Sequence, residues 1–226
     1  MMDTDEMMIL LCGNIDDRSV NLLQKIYERD NYVELPFNSY EVDLKKIVNY
    51  KVDHDDVEQS KAILGFRIDK DKTNEMSVRI FNRMFGGGAS SYLFKHLREA
   101  RSLAYQISSN VDVKNGYLFA LAGVDHSRVK ETEQHIIIEL EKFQNGDFTT
   151  EFLEETKKKL LSDRENSKDR AKGMISIVYS ENLTGMTDDE FKEKVESITR
   201  EDIIEAAHSV HLDTVYTLTG GDSDDS

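Results

Sequence analysis

The chain of 226 residues has no tryptophan, one cysteine and one proline, and far fewer cations than anions. Each shortage excludes something. The lone Cys12 makes no internal disulfide, so the fold is not a disulfide-stapled scaffold. Its place in the apolar run MILLC reads as a small buried side chain rather than a reactive thiol. No apolar run approaches the roughly 20 residues that cross a bilayer. The first residues carry Asp3, Asp5 and Glu6 where a secretory signal would carry basic ones. A cytoplasmic chain with no membrane contact is therefore expected. With 29 Lys and Arg against 44 Asp and Glu, the formal charge of −15 repels nucleic-acid phosphates over most of the surface, and nucleic acid is not expected as a partner. The acidic excess favours solubility first and recognition of basic peptide segments second.

What the chain does have is enough apolar residue, 38%, for a sizeable core beside its 32% of charge. Residues 7–11 read as a strand. Val20, Leu22, Leu23 and Ile26 read as a helix over 19–27. Residues 30–50, with Pro36, read as a connection. Residues 62–68 read as a central strand, and a helix over 73–85 turns Met76, Ile80, Phe81 and Met84 inward. Asn115-Gly116 is a hairpin signal before a strand over 117–124. Val129, Ile136, Leu140 and Phe143 mark a long helix ending near Gly146, and Thr150 begins the next. In that helix Lys157, Lys158 and Lys159 read as a solvated face opposite Phe152, Leu153, Thr156, Leu160 and Leu161. A third helix over 174–183 closes at Gly185. Thr187 with Glu190 and Thr199 with Asp202 have capping-box spacing and open two short helices. A last strand covers 214–219. Residues 1–221 are expected to form one domain and 222–226 an acidic tail. The fold class is α+β, a two-layer sandwich of mixed or antiparallel sheet with helices on one face.

The most informative stretch is FGGGASSYLFKHLREARSLAY, residues 85–105. Gly86, Gly87 and Gly88 lack the Cβ that excludes positive φ, so they suit an abrupt turn or a close backbone approach. Leu93, Phe94 and Leu97 then recur at near-helical spacing, opposite Lys95, Arg98, Glu99 and Arg101, with Ser90 or Ser91 available as a cap. From Leu103 the period becomes two, which puts Tyr105 at the start of a strand.

This arrangement resembles the C-terminal-type domain of the pitrilysin and mitochondrial processing peptidase family, the inverted-motif zinc peptidases. In that family an Arg, six intervening residues and a Tyr contact the bound peptide, and the matching residues are Arg98 and Tyr105. The order of the elements extends the resemblance: MILLCGNIDD, AILGFRI, the glycine-rich helix, YQISSNV with GYLFALAGV, then helices. The resemblance implies a single pitrilysin-like half. It also implies that Arg98 binds a peptide carbonyl or carboxylate and that Tyr105 donates to an oxyanion. For Gly86 to Gly88 a structural role is expected.

The family's zinc motif, H-x-x-E-H, is missing. The six histidines are His54, His96, His126, His135, His208 and His211, and none begins that string. His54 with Glu58 imitates part of it, and the H-x-x-H of His208 and His211 chelates weakly without further ligands. No metal and no catalytic residue are expected in the chain alone. Zinc is expected only in a catalytic half, supplied in cis or in trans. The implied function is a noncatalytic substrate-binding domain of a zinc metallopeptidase, with peptide as substrate. The alternative is an inactive member that serves as a scaffold or peptide-binding partner. The abrupt start favours a piece of a longer protein over a separate subunit, and a homodimer is the expected association of the chain by itself.

Overall fold

Alternation of buried and exposed residues builds the sheet. In β2 (Ser60–Ile68), Ala62, Leu64, Phe66 and Ile68 are buried while Lys61, Ile63 and Arg67 turn the other way, the period expected of a strand covered on one side. The protein is a computed structural model that describes residues 8–28 and 47–220. Expectations for the segment around Pro36 and for the acidic tail 222–226 lie outside the described residues. The chain divides into two compact units, Met1–Ser39 with Lys159–Glu193, and Tyr40–Lys158 with Lys194–Ser226.

The larger unit holds a five-stranded sheet in the order β1-β5-β2-β4-β3, where β1 is Asn49–His54, β3 Gln106–Asp112, β4 Tyr117–Val124 and β5 Val210–Thr219. It is mixed: β1 runs parallel to β5, and every other pair is antiparallel. β2 lies at the centre. The hairpin between β3 and β4 turns at Gly116, whose φ of +73° a side chain would resist, and Asp112 accepts from the Asn115 backbone and side-chain amides.

Helices cover one face of this sheet. α2 (Glu75–Phe85) starts on Asn74, whose side chain accepts from the Ser77 amide, and buries Met76, Ile80, Phe81, Met84 and Phe85. α3 (Val129–Gln144) buries Ile136, Leu140 and Phe143, and α7 (Arg200–His208), opened by a full capping box at Thr199, buries Ile203, Ala206 and Ala207. Phe81, Phe85, Phe143 and Phe148 meet ring to ring, with centroids 5.3 to 6.2 Å apart. Each large side chain so buried stabilises the unit by about 1.5–3 kcal/mol. On the opposite face Phe119 and Leu121 of β4 stay 44% and 37% exposed.

In the smaller unit α1 (Asp17–Tyr27) is capped by Asp16 and buries no residue. α4 (Thr150–Ser167) runs from the larger unit into this one. α5 (Ala171–Thr184) ends on the left-handed Gly185, and α6 (Asp188–Ser197) begins with the Thr187–Glu190 box. Around the start of α6, Asp188 pairs with both Arg164 and Lys168, and the Arg164 guanidinium lies 4.2 Å from the Phe191 ring centre.

Four readings of the sequence need correction. Met8, Ile9 and Leu11 are exposed and make no strand, because apolar character alone supplies no ladder partner. Cys12 is consequently exposed rather than buried. Asn49–His54 is a strand rather than the end of a connection. Its weak alternation is that of an edge strand, completed by pairing with the distant β5. Lys157 is buried rather than solvated. Its ammonium donates to Glu154 Oε1 at 2.8 Å and to the Glu196 carbonyl at 3.3 Å, while its stem packs inside.

Candidate functional site

The glycine loop is bound to the sheet edge by hydrogen bonds. The Gly86 and Gly87 amides both donate to the Asn82 carbonyl, at 3.0 and 2.8 Å, and the Gly86 carbonyl accepts from the Ser109 amide of β3 at 2.8 Å. Ser109 Oγ donates to Asn82 Oδ1 at 2.7 Å, which closes the junction. A Cβ on Gly86 would lie 2.5 Å from Ser109 Oγ and 2.7 Å from its amide nitrogen, whereas one on Gly88 would meet nothing within 4 Å. None of the three has positive φ. Close approach at Gly86, and at Gly87 where a Cβ would lie 2.8 Å from Arg83 Cα, is what the loop uses rather than an unusual backbone angle.

The buried Ser91 then opens a helix, its carbonyl accepting from the Lys95 amide at 2.9 Å. Residues Phe94–Ala100 wind as a π-helix, a widened turn that is uncommon and often found where function resides. Leu93 and Leu97 are buried beneath it. His96 Nδ1 lies 2.7 Å from Glu139 Oε2 of α3, and Lys142 Nζ lies 2.8 Å from the other oxygen of that buried carboxylate. Glu139, 2% exposed at its side chain, therefore ties the π-helix to α3. Only the Glu139–Lys142 spacing of this arrangement was visible in the sequence, and His96 lies 43 positions away.

Arg98 and Tyr105 come out in different surroundings. Arg98 stacks its guanidinium 4.7 Å from the Phe94 ring centre and lines a cavity of about 340 Å³ with Lys61, Ile63, Gln106, Ser108 and Leu121. Tyr105 is not among the lining residues. The chain reaches it through Ser102, a non-glycine residue at φ +49°, whose carbonyl accepts from Arg128 Nη1 at 2.8 Å. The Tyr105 amide donates to the Gly123 carbonyl at 2.9 Å, and its phenol donates to Asp125 Oδ1 at 2.6 Å. That hydrogen bond, with the nearby carboxylate charge, raises the phenol above its ordinary value, so it stays protonated through neutral pH.

The described residues do not fit a zinc ion: no group of three or more His, Cys, Asp or Glu among them stands close enough to hold a metal. His208 ends α7 and His211 is exposed in β5. Among the described residues no helix is long and apolar enough to cross a membrane.

Comparison with known proteins gives the family and the fold. The family model described as the peptidase M16 inactive domain matches residues 1–160. A curated relative from Bacillus subtilis (strain 168), named probable inactive metalloprotease YmfF, is 29% identical over 224 residues, covering 96% of this chain and 52% of the relative. A solved protein of Enterococcus faecalis V583 matches with a TM-score of 0.80 at 24% identity, over 94% of this chain and 52% of its own. The peptidase M16 inactive domain from Pseudomonas fluorescens matches with a TM-score of 0.70 at 14% identity, over 93% and 52%. Those two likenesses establish the α+β fold. The chain spans about half the length of all three relatives.

Proposed function

The chain belongs to the family of peptidase M16 inactive domains, and we propose that it is the substrate-holding half of a two-part peptidase whose zinc-bearing half is another segment or another chain. The observation that carries this reading is Arg98, an exposed cation on an anchored π-helix that opens onto a cavity over the sheet face opposite the helices. A guanidinium held there binds a peptide carbonyl or carboxylate through paired N–H donors. Tyr105 takes part by releasing Asp125 and donating a hydrogen bond from its phenol to a developing oxyanion. Water activation belongs to the other half, since the described residues offer no metal ligand set.

A second reading, an inactive scaffold, is favoured by the name of the Bacillus subtilis relative, an inactive metalloprotease. It is also favoured by the 2.6 Å bond that already occupies the Tyr105 phenol. Supplying a zinc-bearing half and following cleavage of a fluorogenic peptide decides between them. For a working half, Tyr105→Phe lowers kcat by up to about 10²-fold, the scale of one lost oxyanion donor. Arg98→Ala weakens peptide binding and turnover together and leaves zinc content unchanged. Wild-type turnover in both variants would leave the pair structural and favour the scaffold.

A further inference from the structure

We propose that the cavity beside Arg98 is a carboxylate site that takes the free C-terminus of a peptide ending in an apolar residue. This rests on the substrate-holding reading and names the part of the substrate that is held. The cavity floor is two neighbouring cross-strand rungs on the sheet face opposite the helices. One rung is Lys61–Gly123–Gln106 and the next is Ile63–Leu121–Ser108. Lys61 Nζ and Gln106 Nε2 converge over Gly123, lying 3.3 and 3.2 Å from where its Cβ would be. A side chain at position 123 would press on both ends. The first rung is therefore cationic and polar, and the second is mainly apolar.

Charge identifies the ligand. In a chain with 44 acidic and 29 basic residues, no acidic residue lines this cavity, and neither Lys61 nor Arg98 makes an ion pair among the described residues. Among the described residues the Arg98 guanidinium stacks on the Phe94 ring. Two cations with no ion-pair partner among the described residues, and an amide donor, around one concavity call for an anion, and a guanidinium beside an ammonium suits a carboxylate. Rungs on one face repeat about every 6.8 Å along a strand, so an anion held at the first rung leaves the second beside the residue that carries it. Ile63 and Leu121 thus lie where an apolar side chain would rest while Lys61, Arg98 and Gln106 hold the carboxylate. The 340 Å³ volume lies near the lower end of the about 300–1,000 Å³ usual for ligand pockets, so it admits the end of a peptide and not a folded domain.

The experiment compares three fluorescein-labelled peptides for binding to the full chain: one ending in a leucine free acid, its C-terminal amide, and an amidated peptide with an internal glutamate. The free acid is expected to bind at least about tenfold more tightly than either amide, and more weakly as salt rises. Lys61→Gln and Gly123→Ala, each checked for an unchanged circular dichroism spectrum, lower that affinity about tenfold or more while leaving the weak binding of the amide unchanged. Equal binding of acid and amide that still depends on Arg98 overturns the carboxylate site and leaves the substrate-holding reading standing. Equal binding of the glutamate peptide moves the anion to a side chain and overturns the terminal assignment. Failure of all three peptides to bind overturns both readings.

Discussion

Gly86→Ala is the substitution whose cost the geometry fixes most directly. The new methyl would lie 2.5 Å from Ser109 Oγ, 2.7 Å from the Ser109 amide nitrogen and 2.8 Å from its Cβ, where ordinary contacts begin at 3.4 Å. The loop and β3 must separate by about 0.9 Å, and because a backbone atom is among those struck, rotating a side chain does not relieve the clash. Overpacking of this kind costs about 1–3 kcal/mol. The separation also breaks the 2.8 Å bond from the Ser109 amide to the Gly86 carbonyl, worth about 1 kcal/mol. We predict a loss of about 2–4 kcal/mol, which at about 2–4 °C per kcal/mol for a chain of this size is a fall in Tm of roughly 5–15 °C. Gly88→Ala is the control. It meets nothing within 4 Å, its φ is not positive, and it should be neutral or stabilising by up to about 1 kcal/mol. Urea unfolding followed by circular dichroism reads both variants against the wild type. If the two alanines fall within about 0.5 kcal/mol of each other, the glycine loop is not held by close approach and the reasoning fails.

The chain alone is expected to hold no stoichiometric zinc after dialysis and to cleave no peptide. One tightly bound zinc with chelator-sensitive hydrolysis would bring His208 and His211 back as ligands. A pH dependence is expected around Asp188. Its hydrogen bonds to Lys168 and Arg164 hold its carboxyl below the usual range, so its contribution is present above about pH 4 and is lost as the pH falls through the lowered value. Lys168, raised to about 12 by Asp188 and then Glu165, contributes fully below its ordinary value and loses that contribution as pH rises through 12. Both side chains are open to solvent, so the effect is small and salt-screened. The Tm gap between wild type and Asp188→Asn should narrow on acidification below about pH 4, and a gap independent of pH would contradict the assignment. Finally, Leu22, Ile26 and Leu183 are each more than half exposed, as are Tyr50 and Val52 of β1, so the chain alone is expected to self-associate as a homodimer. Light scattering that stays monomeric across a concentration series would rule this out.

Local patterns were sufficient for much of the fold. The periodic burial of α2, the capping boxes at Thr187 and Thr199, the Asn115-Gly116 hairpin and the left-handed stop at Gly185 each depend on residues within a few positions of one another. The same holds for the run that joins Gly86 to Tyr105, whose residue order carried the family resemblance. Edge strand β1 and the exposed Met8–Leu11 run were not readable, because a strand exists only where a partner ladder arrives, and β5 arrives from the far end of the chain. Lys157 was misread for a similar reason: a charged residue in a cationic run is buried only if a distant group, here the Glu196 carbonyl, receives it. The site shows the same division. The family resemblance carried by the sequence singled out Arg98 and Tyr105. Only the tertiary structure separated their surroundings, giving Arg98 a cavity shared with Lys61 from another strand and Tyr105 a hydrogen bond to Asp125. Side-chain spacing along one segment follows from local backbone geometry, whereas the partners that set charge and hydrogen bonding are brought together by chain folding.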